Sequence, residues 1–119
     1  MNVKEVLAKI SEVDGFLGAS IVDSDSGMVL GVHGGSTIDL ELAAAGNTEV
    51  VRAKRKTMKA LGLKENIEDI LITLGTQYHL IRPISSNDEL FIYLVLDKSR
   101  GNLGLARFSL NNIEKTLVV

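Results

Sequence analysis

The chain has no cysteine and no tryptophan, and only one proline, Pro83, in 119 residues. Without cysteine there are no disulfides, no thiol chemistry and no cysteine zinc sites. A single proline permits long uninterrupted elements. No apolar stretch is long enough to cross a bilayer. The first residues alternate charged with apolar groups and lack the apolar core of a secretory signal. The expectation is therefore a cytoplasmic protein with no membrane insertion. A formal net charge of −2 gives no basic excess for nucleic acid or an anionic membrane. What is present is an apolar share of 45% and a charged share of 24%, ordinary for a soluble domain. The length fits one domain, residues 1–119, with a real core.

Hydrophobic periodicity sets the element order. Val3, Val6, Leu7, Ile10 and Val13 form a helical stripe, with Asn2 as cap, Glu5 as capping-box partner and Asp14-Gly15 as the stop. Residues 16–22 and 28–32 read as a hairpin around the turn formers Asp23-Ser24-Asp25-Ser26-Gly27. Residues 38–61 read as a long helix capped by Ser36 or Thr37 and ended by Gly62. Strands follow at 67–74 and 78–82, with Pro83 at a strand end or edge. The run Leu90-Phe91-Ile92-Tyr93-Leu94-Val95-Leu96 shows no polar alternation, so it is expected near the middle of a sheet covered on both faces. Ser99 is expected to cap a last helix whose stripe is Leu103, Ala106, Leu110, Ile113 and Leu117. Leu105 and Phe108 fall off that stripe; packing under a neighbouring element is favoured over a small apolar contact site. The predicted order is α-β-β-α-β-β-β-α, an α+β fold with an antiparallel sheet and helices on both faces.

The long helix has two unlike halves. Its first half, Leu40, Leu42, Ala43, Ala44, Ala45 and Gly46, is apolar nearly all round. A small chain offers too little protein to surround such a helix, so part of it is expected to meet another chain. Its second half carries Arg52, Lys54, Arg55, Lys56 and Lys59. This basic run reads either as a solvated face favoured by the helix dipole or as a surface for an acidic partner.

Chemical motifs are weak. The Asp23–Gly27 segment lacks the glycine position and closing glutamate of a calcium loop. His33 and His79 have no second ligand at metal spacing. Ser85, His79 and Asp88 could form a hydrolase triad only on paper, with no nucleophile-elbow sequence. Gly101 and Gly104 open a helix after a strand but lack a third glycine, so close helix–sheet packing is the better reading. No P-loop sequence is present. No catalytic residue, cofactor or metal is expected.

In sequence the chain resembles the Roadblock/LC7 domain family, along essentially its whole length. The hairpin "GFLGASIVDSDSGMVLG", the helix "LELAAAGNTEVVRAKRKTMKALGL" and "LVLDKSRGNLGLARFSLNNIEKTL" carry the resemblance, the last matching a run common in bacterial members. It implies a five-stranded, profilin-like antiparallel sheet, and a homodimer in which the long helices pack together and the third strands pair edge to edge. It also implies a non-enzymatic signalling adaptor that binds a small Ras-like GTPase or its complex. The expected dimer interface is Leu40, Ala43, Ala44, Gly46, Asn47, Val51, Ile70 and Ile72. The expected partner surface is Arg52, Arg55, Lys56 and Lys59. A charge at Ala44 or Ala45 is expected to separate the dimer. Reversing Arg52, Arg55 and Lys56 is expected to weaken partner binding without harming the fold. The alternatives are a PAS-like or GAF-like small-molecule sensor and a purely structural subunit of a larger complex.

Overall fold

A computed structural model describes residues 1–119. The elements are α1 (Val3–Ile10), β1 (Phe16–Asp23), β2 (Met28–Gly34), α2 (Leu40–Ala60), β3 (Ile70–Thr73), β4 (Gln77–Ile84), β5 (Asn87–Asp97) and α3 (Leu103–Glu114). Every strand pairing is antiparallel, in the order β2-β1-β5-β4-β3. The two apolar faces of β5 now have their explanation. Leu90, Ile92, Leu94 and Leu96 join one core with Val6, Leu7 and Ile10 of α1 and Ala106 and Leu110 of α3. Phe91, Tyr93 and Val95 join the other with Leu40, Ala44 and Val51 of α2. Alternate residues of one central strand thus serve two helical layers.

Local chemistry fixes the helix ends. Asn2 and Glu5 form a reciprocal capping box, the Asn2 side chain accepting from Glu5 N at 2.9 Å. α1 stops at Ile10, and Val13 packs on the core from the turn that follows. α2 is capped by Asp39, whose Oδ1 accepts from Leu42 N at 3.0 Å, and neither Ser36 nor Thr37 caps it. Its far end is a Schellman turn: Leu63 N donates to Met58 O, Gly62 N donates to Lys59 O, and Gly62 has φ +72°. Asn102 caps α3, Oδ1 accepting from Leu105 N; Ser99 instead donates to Asp97. Gly101 lies close against the end of β5, where a Cβ would be 2.9 Å from Asp97 O, whereas a Cβ on Gly104 would meet only Asn102 Oδ1, at 3.5 Å.

β3 is shorter than the sequence suggests. Continuing its register beyond Ile70↔Ile81 would set Glu68 opposite Pro83, which has no N–H to donate. Pro83 itself sits in β4 past the reach of β3, beside a bulge. The chain ahead of β3 is held differently. Arg107 of α3 grips Asp69 through Nε and Nη2, at 2.9 and 3.0 Å.

Candidate interaction surface

Helical geometry divides α2 into an inner and an outer side. Leu40, Ala44, Thr48 and Val51 are buried against the sheet. Leu42, Gly46, Val50 and Ala53 run at spacings of four, four and three along the opposite side and are exposed, Leu42 to 71%. Gly46 is not required by internal packing, since a Cβ built there meets no atom within 4 Å. Leu40, Ala44 and Val51, assigned from sequence to a contact between chains, therefore belong to the core of the single chain. Ala43 and Asn47 are half-buried at the flank of the helix, and Gly46 is fully open.

α2 lies over the β1–β2 side of the sheet. On the same face, at the opposite edge, Ile70 and Ile72 of β3 are half-buried, with Ile72 in register with His79 of β4. The outer edge of β3 has no strand partner. A strip of apolar helix and an open strand edge thus lie on one face of the molecule.

Beneath that face, His79 makes two hydrogen bonds, to Tyr93 Oη through Nδ1 at 2.9 Å and to Gln77 Oε1 through Nε2 at 2.8 Å. A neutral ring protonated at Nε2 satisfies both: Tyr93 donates to Nδ1 and Nε2–H donates to Gln77. Burial lowers the His79 pKa from its ordinary value. Burial also raises that of Tyr93, opposed by the Asn47 side chain. At the other end of β5, hydrogen bonds from the Ser99 hydroxyl and N–H, aided by nearby Arg100, hold the half-buried Asp97 carboxyl below its usual range.

The basic run is not uniform. Arg52 Nη2 donates to Asp25 O in the β1–β2 turn, and Arg55 Nη2 donates to Asp88 O at the start of β5. These arginines clamp α2 to two neighbouring hairpins, which are joined by Ser24 N and Oγ donating to Glu89 O. Arg52 and Arg55 thus make contacts within the chain as well as lying at its surface. Lys56 and Lys59 are exposed and make no ion pair. No sequence signal marks the arginine contacts, because the acceptors are backbone carbonyls far along the chain.

The other motifs resolve into structure. The Asp23–Gly27 segment is a hairpin turn closed by Gly27 N donating to Asp23 O at 2.7 Å. His33 stacks edge-on against Phe16. Ser85 N and Oγ donate to the buried Glu114 carboxylate, while His79 is bound to Tyr93 and Gln77, so no triad forms. No group of three His, Asp or Glu side chains is placed to hold a metal. Leu105 and Phe108, expected to pack, are instead 56% and 65% exposed on α3. No helix is long and apolar enough to cross a membrane.

No protein-family model matches the chain, and no curated protein matches its sequence. Solved structures do. A Roadblock/LC7 domain from Streptomyces avermitilis superposes with a TM-score of 0.83 at 12% identity, covering 98% of this chain and 94% of that one. Myxococcus xanthus MglB gives 0.79 at 16% identity, with 92% and 89% covered. The gliding protein MglB from Thermus thermophilus gives 0.79 at 17% identity, with 95% and 83% covered. The chain has the Roadblock/LC7 fold, from α1 through α3.

Proposed function

We propose that the protein is a non-enzymatic, cytoplasmic regulatory adaptor of the Roadblock/LC7 family. In this reading it forms a homodimer and offers that dimer to a small Ras-like GTPase or a complex containing one. The observation that carries it is the outer line Leu42, Gly46, Val50 and Ala53 on the same face as the open β3 edge. A line that includes Gly46 and Ala53 lets two helix backbones approach closely, and a free antiparallel edge can pair with its own copy about a two-fold axis. The proposed interface is Leu42, Ala43, Gly46, Asn47, Val50 and Ala53 with Ile70 and Ile72. Leu40, Ala44 and Val51 support it from beneath. Lys56 and Lys59, farther along α2, are exposed and suit an acidic partner.

The small-molecule-sensor alternative gains little. A groove of about 1180 Å³ borders the C-terminal part of α2 and the β4–β5 turn, but only 4 of its 20 lining residues are hydrophobic and it is open to solvent. An enclosed apolar pocket is the usual form of a ligand site.

The test is a pull-down with the tagged dimer from native lysate, in parallel with GDP and a non-hydrolysable GTP analogue. Capture of a P-loop GTPase favoured by one nucleotide is expected, weakened by Lys56→Glu with Lys59→Glu in a salt-dependent way. If only the protein itself returns in both arms, the GTPase role fails.

A further inference from the structure

The β3 edge is one of two. At the far side of the sheet, β2 also has an unpaired outer edge. Its sequence, Met28-Val29-Leu30-Gly31-Val32-His33-Gly34, contains no aspartate, glutamate, lysine, arginine or proline. Natural edge strands are ordinarily guarded by such residues, because free N–H and C=O groups template further pairing. Here the sole guard is the bulge at Leu30, where the register with β1 passes from Ile21↔Gly31 to Val22↔Val29. Leu30 and Val32 are 42% and 51% exposed.

A cleft accompanies this edge. Gly31 brings α1 down onto β2, since a Cβ there would lie 2.7 Å from Val3 Cγ1 and 3.1 Å from Leu7 Cδ1. Between helix and strand lies a cleft of about 600 Å³, whose walls include Val3, Leu7, Leu30, Val32 and Val118. Lys4 is its one charged lining residue.

We propose that the outer edge of β2 is a docking site for an extended partner segment, apolar at alternate positions and carrying an acidic residue, which adds to the sheet as a sixth strand. Backbone pairing along β2 supplies the register, and an aliphatic side chain of the incoming strand fills the cleft. Its acidic residue meets Lys4. The charge also decides between occupants. The β2 strand of a second copy carries no acidic residue to meet Lys4, whereas an acidic segment neutralises it. The site is complete in one chain, so it does not depend on self-association through β3. A homodimer built on the β3 edges carries two such sites, at the ends of its sheet.

A random dodecapeptide phage library panned on the purified protein, with counter-selection on the Leu30→Lys, Val32→Lys double variant, tests this directly. The expected clones alternate aliphatic residues and contain Asp or Glu. The synthesised peptide binds once per chain, at least about ten-fold more weakly to the double variant and to Lys4→Glu. Methylating alternate peptide amides also weakens binding to the unaltered protein at least about ten-fold, a loss that only main-chain pairing explains. Three results overturn the proposal: no clone preferring the unaltered protein, methylation without effect, or self-association abolished by Leu30→Lys. Light scattering on the same samples reports the dimer separately. A monomer that still binds peptide refutes the dimer and leaves the β2 site standing.

Discussion

His79 shows how one residue ties burial to charge. Its neutral ring accepts from Tyr93 and donates to Gln77, and protonation at Nδ1 forces Tyr93 to turn its hydrogen away. Its folded pKa is lowered by burial below the ordinary value of 6.5. The unfolded chain then binds more protons than the folded chain below that pH. The stabilisation is fully present above pH 6.5 and is lost as pH falls through the depressed folded value. Denaturant unfolding at pH 7.5 and pH 5 is expected to show a fall in stability that is smaller in His79→Gln. An equal fall in both proteins would place the acid sensitivity elsewhere. The His79–Tyr93 contact was not legible in sequence, because the two meet only through the β4–β5 pairing, while Gln77 is a neighbour of His79 on β4 itself. The same holds for Glu114 with Ser85 and for Arg107 with Asp69, pairs separated by 29 and 38 positions.

Among the elements, α2 is the one whose sequence admits two readings. Leu40, Ala44 and Val51 form one apolar line and Leu42, Gly46, Val50 and Ala53 another, and periodicity alone does not say which faces the sheet. The structure chooses the first for the core, and the second remains outside. Gly46 makes the distinction measurable. In an isolated chain Gly46→Ala is expected to stabilise the helix by about 1 kcal/mol, because alanine restricts the unfolded backbone and meets no neighbour here. In a close helix–helix contact the added methyl pushes the backbones apart. The expected outcome is therefore a higher unfolding midpoint under dilute, monomeric conditions together with a weaker dimer by analytical ultracentrifugation. A dimer of unchanged affinity would remove Gly46 from the contact. Other elements were plain from sequence for identifiable reasons. β5 declared its central place by lacking polar alternation, α1 by its capping box, and the end of α2 by Gly62. The length of β3 escaped, since it is set by Pro83 on the strand opposite.

As a whole molecule, the sheet is covered by α1 and α3 on one face and only partly by α2 on the other. That asymmetry, more than any single residue, motivates the proposed second copy: the outer line of α2 and the β3 edge lie open on one face. The most direct measurement is solution mass by multi-angle light scattering, for the unaltered protein, Ala53→Glu and Ala44→Glu. Ala53 is exposed and Ala44 is fully buried in the chain's own core. An unpaired charge buried in either place costs on the order of 3–5 kcal/mol, but it acts on different equilibria. The expected result is about twice 12.9 kDa for the unaltered protein, a folded single-chain mass for Ala53→Glu, and loss of folding for Ala44→Glu. A single-chain mass for the unaltered protein, or an intact dimer in Ala53→Glu, would contradict the account.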